Sequence, residues 1–304
     1  MGSFLQESAW GEFQSHLGRE VTTKTGENWK FQAILEAGTL NTRLYTPYGP
    51  EAESPHAMME ALDELEQLGR KKDVTFVRVE PRDHVTAETL KSLGYKKVTF
   101  NQLQPEHTQI IDLSPSEDEI IAQMSQNTRN LYRNYHKKGV EVHTSTNPED
   151  IEIFLQFIHK VAERNHITPH SDAYFRTQAD TLFPAGAATL FYATHEGTPI
   201  AAAIMYDSDD TRYYAHAAAD DAYRKLSAGT SLLAYAIIDA KRAGKKYVDL
   251  YGIAPDDSPT HPWAGFTKFK KSFGGHEATY LGAWDKPLKP LQYLLYRTYQ
   301  SIKR

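Results

Sequence analysis

The same order of elements, strands, a helix closed by glycine and a further strand, is spelled out twice along this chain, and any fold must accommodate both copies. In the first copy Phe31 to Glu36 and Leu40 to Tyr45 read as strands around a turn at Ala37-Gly38. Tyr45-Thr-Pro-Tyr-Gly-Pro50 then stops the sheet, since proline cannot donate to a ladder. Met58, Met59, Leu62, Leu65 and Leu68 recur at three- and four-residue steps, which predicts a helix ending at Gly69, and Val74 to Val79 reads as a buried strand. In the second copy Ala188 to Ala193 and Ile200 to Tyr206 form a hairpin about Glu196-Gly197, and Arg212 to His216 adds a strand. Gly229 to Ala243 is the helix, Gly244 ends it, and Lys246 to Tyr251 is the last strand. The repeat predicts two α/β units side by side.

Length agrees with this, because 304 residues exceed the usual reach of one core and 40% of them are hydrophobic. No apolar run approaches the ~20 residues of a membrane helix, and Met1 to Trp10 lacks the basic start and apolar stretch of a secretory signal, so the chain is expected to stay inside the cell. The absence of cysteine excludes a disulfide scaffold, a thiol nucleophile and thiolate metal sites. The histidines show no HExxH spacing, and there is no GxSxG elbow, GxxxxGK[ST] loop or GxGxxG after a strand. Serine hydrolysis, nucleotide phosphoryl transfer and dinucleotide chemistry lose their usual support, and neither a metal nor a redox cofactor is expected.

The formal charge of −5 means that affinity for a polyanion must come from local basic patches. One such patch lies between the copies, on a helix predicted from Ser114-Pro115-Ser116-Glu117 to Gly139. Ile120, Met124, Leu131 and Tyr135 fall on one side of it, and Arg129, Arg133 and Lys137, spaced by four, fall on the other. The stripe reads either as a solvated helix face or as a row of phosphate contacts. Ile151 to Arg164 is a second amphipathic helix. A last helix opens at Pro287 and combines Leu291, Leu294, Leu295, Tyr296 and Tyr299 with Lys286, Lys289, Arg297, Lys303 and Arg304, a pattern that suits a docked tail or a helix lying on an anionic membrane.

Three segments carry candidate chemistry. Tyr213 to Thr230 runs from a strand through a turn into a helix opening at small residues, where free amides can cradle an anion. Within it Arg224-Lys-Leu-Ser-Ala-Gly229 resembles the pyrophosphate loop of the GNAT acetyltransferases, with Ser227 in place of a glycine. Val248 to Ile253 is a strand end with Asp249 and Tyr251 on one face by the period of two. Trp263 to Gly275 sets Phe266, Phe269 and Phe273 at helical spacing beside Lys268, Lys270 and Lys271.

In their order along the chain, Phe4 to Trp10, Tyr45 to Pro50, Asp112-Leu113, Arg129 to Gly139, Asp249 to Ile253 and Phe269-Lys270 before Phe273-Gly274 resemble the FemABX family of aminoacyl-tRNA-dependent peptidyltransferases. The resemblance implies two tandem GNAT-like domains, residues 1–113 and 114–284, with the C-terminal segment 285–304 returning to the first as a packed helix. It also implies transfer of an amino acid from aminoacyl-tRNA to the stem-peptide amine of a UDP-linked or lipid-linked peptidoglycan precursor. The lysine of the Phe-Lys pair lies by the reacting ester in that family, which points to Lys270. Arg43, Arg212 and His216 become candidate precursor contacts, His216 standing where the family has tyrosine, Tyr251 and Phe269 become candidate substrate contacts, and Arg129, Arg133 and Lys137 become candidate tRNA contacts. An acetyl-CoA-dependent GNAT enzyme and a non-catalytic RNA or precursor-binding module are the rival expectations.

Overall fold

The repeated order becomes two separate sheets in the computed structural model, which describes residues 2–100, 103–165 and 168–302. The first sheet follows α1 (Ser8–His16) and holds β1 (Glu20–Gly26), β2 (Trp29–Gly38), β3 (Asn41–Thr46) and the short β4 (Glu51–Ala52). It continues through α2 (Pro55–Lys71), β5 (Phe76–Val79), α3 (Ala87–Ser92) and β6 (Lys96–Lys97). The turn between β2 and β3 closes at Gly38 opposite Asn41, two residues beyond the Ala37-Gly38 position expected.

Helix α2 starts where Ser54 accepts the Ala57 amide at 3.2 Å and Pro55 supplies a fixed φ in the first turn. Its Met58, Leu62 and Leu65 bury against Phe31, Leu44 and Val77. Gly69 does not end it. The helix runs on to Lys71, and Gly69 is buried within it because a Cβ there would lie 2.7 Å from Val77 and from Leu288. The glycine serves close helix-sheet packing instead of termination. β5 then returns parallel to β3, Arg43 opposite Phe76, as a crossover through a helix requires.

The second sheet begins with β7 (His107–Asp112) and passes through α4 (Glu117–Gln123), α5 (Gln126–Asn134), β8 (Val140–Ser145), α6 (Ile151–Asn165) and α7 (Asp172–Leu182). It then takes β9 (Ala188–His195), β10 (Thr198–Asp207), β11 (Thr211–Ala219), α8 (Ala228–Arg242), β12 (Tyr247–Gly252), α9 (Ala264–Lys271) and β13 (His276–Thr279). The strand order is β13-β7-β12-β11-β10-β9-β8, and β11 and β12 are the parallel pair. Leu232, Leu233, Ile237 and Ile238 of α8 form its core with Ala203, Met205, Val248 and Leu250.

The single helix expected from Ser114 to Gly139 is broken. Met124 takes an extended backbone, and Ser125 caps a new helix by accepting the Thr128 amide at 3.3 Å. Arg129 and Arg133 lie on α5, whereas Lys137 lies in a separate 3-10 turn, so the four-residue spacing does not continue one α-helical face. The helix from Ile151 to Arg164 is found, with the side chain of Arg164 outside the described residues.

The chain divides into residues 1–4 with 107–278 and residues 5–106 with 279–304. These limits differ from 1–113, 114–284 and 285–304 because His107–Asp112 is a strand of the second sheet, antiparallel to β12. The first sheet fills the corresponding place beside β5 with the last strand of the chain, β14 (Trp284–Pro287), Asp285 opposite Arg78. Residues 284–287 are therefore strand, and the terminal helix α10 (Pro290–Ile302) opens three residues later than Pro287. The returning segment is fixed by a buried ion pair: Arg78 donates Nε and Nη2 to the Asp285 carboxylate at 2.7 and 2.9 Å, and Tyr293 of α10 donates to Asp285 at 3.1 Å.

Candidate active site

Strands β11 and β12 pair over three positions only, Thr211 to Tyr213 against Tyr247 to Asp249, and then separate. The split opens a cavity of about 800 Å³ lined by Tyr214, Ala215 and Ala217 of β11, Tyr251 of β12, and Ser227, Gly229 and Thr230 at the start of α8. Alanines at 201, 202, 215, 217, 218 and 219 account for much of its wall, so two strands that could have carried large side chains leave room between sheet and helices. Those alanine runs were visible in the sequence and were the available signal of a hollow. Phe266, Phe269 and Lys270 of α9 close one side.

Helix α9 is held where it is by Phe269 and Phe273, whose helical spacing the sequence shows, and by Thr267, Ser272 and Thr128, which sequence reasoning passed over. Phe273 is fully buried, and Phe269 packs edge-on against it with ring centroids 5.1 Å apart. Thr267 accepts the Ala254 amide at 2.8 Å, Ser272 accepts the Ser125 amide through its carbonyl at 2.8 Å, and the Thr128 hydroxyl donates to the Ser272 hydroxyl at 3.0 Å. After the helix, Gly275 has φ +79° and its would-be Cβ would lie 2.1 Å from the Ile110 carbonyl oxygen, so only glycine lets the chain turn onto β7.

This anchoring aims Lys270 at the end of β12, where Nζ donates to the Gly252 carbonyl at 2.7 Å. Burial pushes its ammonium down to about 8, against the opposing charge of Asp249. The group is therefore cationic at neutral pH, and two of its three donors remain beyond the one given to Gly252. Among the described residues no carboxylate comes within ion-pair distance of it. Neighbouring Lys271, in contrast, is held at 2.7 Å by Asp257 and 2.6 Å by Glu277.

Asp249 and Tyr251 do not share a face as the period of two predicts. Leu250 and Tyr251 oppose a single residue of β7, a bulge that places Tyr251 at φ +61°. Asp249 is 1% exposed, and its Oδ1 accepts the Tyr251 amide at 2.7 Å, so it supports the turn that delivers the Tyr251 ring to the cavity.

Arg212 and His216 are separated in the same way. A bulge in β11, with Ile204 opposite His216 and Met205 opposite Tyr214, reverses the alternation between them. Arg212 is 4% exposed and spends its guanidinium on Asp207 at 2.9 and 3.0 Å and Asp239 at 2.6 Å. His216 bonds to the Tyr206 hydroxyl at 3.0 Å among Phe154 and Phe175, and burial, with His170 nearby, pushes it down to about 4. The imidazole is thus neutral at pH 7, and the guanidinium is already paired with two carboxylates. Arg43, on β3, is likewise engaged by Glu36 at 2.6 Å. Of the expected contacts, Lys270, Phe269 and Tyr251 share the cavity, together with Arg224 from the loop resembling a pyrophosphate cradle. Ser227 in that loop has φ +54°, a left-handed conformation at the position where the GNAT pattern has glycine.

A two-sheet α/β chain with a split parallel pair above a helix start is a GNAT-type architecture, and a family model described as an acetyltransferase (GNAT) domain matches residues 122–263. The crystal structure of FemX superimposes with a TM-score of 0.86 at 18% identity, covering 97% of this chain and 94% of that one. A tandem GNAT protein from the clavulanic acid biosynthesis pathway gives 0.52 at 12% identity, with 88% and 83% covered. In sequence the chain is similar to two staphylococcal proteins. The lipid II:glycine glycyltransferase of Staphylococcus epidermidis is 28% identical over 228 residues, 68% of this chain and 54% of that one. The Staphylococcus haemolyticus protein of the same name is 24% identical over 155 residues, 47% and 37%. The chain thus spans about half the length, or less, of these relatives.

Proposed function

We propose that this chain transfers an aminoacyl group from aminoacyl-tRNA to the stem-peptide amine of a peptidoglycan precursor. The observation that carries the reading is Lys270, an ammonium with donors to spare at the wall of a cavity opened between two parallel strands. The names of the staphylococcal relatives support the same class of reaction and a lipid-linked acceptor.

The donor ester is already activated, so the protein has to align two reactants, exclude water and stabilise charge. The acceptor nitrogen attacks the ester carbonyl carbon, and the carbonyl electron pair moves onto oxygen. The resulting tetrahedral oxyanion is met by Lys270 Nζ, whose partial burial strengthens the attraction. Collapse expels the tRNA ribose oxygen, which takes up the proton lost by the nitrogen, and leaves the new amide. Tyr251 and Phe269 orient the aminoacyl end in the same cavity. Acetyl-CoA is the second reading, favoured by the placement of Arg224, Ser227 and Gly229 on the cavity wall.

The donor is tested by binding. Arg133 and Lys137 are exposed, and Arg129, although it donates to the Ala122 carbonyl at 2.6 Å, lies on the same short helix as Arg133. Each phosphate contact releases about one counterion, so Arg129→Ala with Arg133→Ala is expected to weaken charged-tRNA binding and flatten its salt slope by about one to two units. An unchanged slope in filter binding returns these residues to a solvated face. Saturable acetyl-CoA binding in calorimetry, with no tRNA binding, replaces the proposed donor with the second one.

A further inference from the structure

Helix α10 is docked by its tyrosines and shows its leucines to solvent. Tyr293 and Tyr296 are 3% and 2% exposed and lie on Phe76, ring centroids 5.2 and 5.1 Å away. Leu291, Leu294, Leu295 and Ile302 are 80, 62, 63 and 79% exposed. At about 100° per residue these four form one stripe opposite the two tyrosines. Adjacent exposed leucines in such a stripe mark a contact surface more than a scatter of surface apolar residues does.

Charge and area indicate what covers it. The helix Pro290–Ile302 contains no aspartate or glutamate, although the chain has 39 acidic against 34 basic residues. Arg297 lies between the stripe and the docked face, its guanidinium 4.9 Å over the Phe100 ring and donating to the Tyr293 hydroxyl at 3.4 Å, and Lys303 and Arg304, outside the described residues, follow it in the sequence. A self-paired helix of this length, about 20 Å, covers a few hundred Å² per chain, well below the roughly 800 Å² per partner of a stable complex.

We propose that α10 lies in the interface of an anionic lipid bilayer, with the Leu291, Leu294, Leu295 and Ile302 stripe entering the acyl boundary and Arg297 and Tyr299 at headgroup level. Thirteen residues are too few to span, so the contact is peripheral. The basic cluster read from sequence is partly neutralised, since Lys286 meets Glu66 at 3.1 Å and Lys289 meets Asp73 at 2.7 Å. Apolar insertion, aided by the remaining charge, therefore carries the binding.

The full chain is sedimented with phosphatidylglycerol-containing vesicles and with pure phosphatidylcholine vesicles at low salt. Recovery with the anionic vesicles, reduced at least tenfold by Leu294→Gln with Leu295→Gln, is the expected result. Both positions are more than 60% exposed, so the variant is expected to keep the parent circular dichroism and melting curve. Equal recovery in the supernatant with both vesicles overturns the proposal, and so does a parent dimer that the same variant converts to monomer, because the stripe is then covered by a second copy. Vesicle binding needs no turnover, so its failure leaves the transfer reaction untouched.

Discussion

Lys270→Ala lowers turnover by about 10²- to 10³-fold while the melting temperature stays within a few degrees of the parent. The magnitude is that of removing one preorganised donor from an oxyanion. Little stability is at stake, because Nζ makes one hydrogen bond to Gly252 and burial disfavours its charge. The pH profile separates this role from packing. With the ammonium titrating near 8, the Lys270-dependent part of the rate is present below that pH and is lost as pH rises through it. Lys270→Arg keeps a cation at all working pH values, so its profile loses this descending limb even if its rate is low. Turnover of the alanine variant within twofold of the parent, or a descending limb unchanged in the arginine variant, removes Lys270 from the chemistry.

Asp285→Ala destabilises residues 5–106 with 279–304 by about 3–5 kcal/mol, because it leaves the Arg78 guanidinium buried without its charge partner. Both side chains are 0% exposed and lie 207 residues apart in sequence, so the pair closes the returning strand β14 onto β5. Tyr293 loses its acceptor in the same variant. Urea unfolding followed by circular dichroism reads the effect directly. Arg78→Met with Asp285→Leu, which removes both charges, recovers most of the loss. A single variant within 1 kcal/mol of the parent contradicts the assigned role of the pair.

Much of this architecture was legible because its signals are periodic. The leucines of α2, the small and apolar residues of α8 and the paired strands before each recur at spacings that the residues alone dictate. What was not legible depends on partners distant in sequence. His107–Asp112 is a short strand whose membership in the second sheet is decided by its pairing with β12, and Trp284–Pro287 gains its strand character from β5 and β6. The two bulges, at Leu250-Tyr251 and at Ala215, each reverse a face that even spacing assigned with no cue in residue type. Arg212 and His216, paired by the resemblance, are set apart by the second of these bulges. The break after Met124 did have a cue, since Ser125 with Thr128 three residues on is a helix start. Lys270 and Phe269 stood out in their aromatic and basic segment and took their roles from the resemblance, whereas Thr267 and Ser272, which hold their helix in place, were hidden among ordinary polar residues.

The measurement that tests the central claim most directly is the mass of the product. The protein is incubated with a pool of charged tRNAs, with acetyl-CoA in a parallel reaction, and with soluble or lipid-linked peptidoglycan precursor. The account predicts a precursor heavier by one aminoacyl residue in the tRNA reaction, at a rate that falls by at least tenfold with Lys270→Ala. An acetylated product in the acetyl-CoA reaction, or a precursor of unchanged mass with every charged tRNA despite binding both reactants, contradicts it.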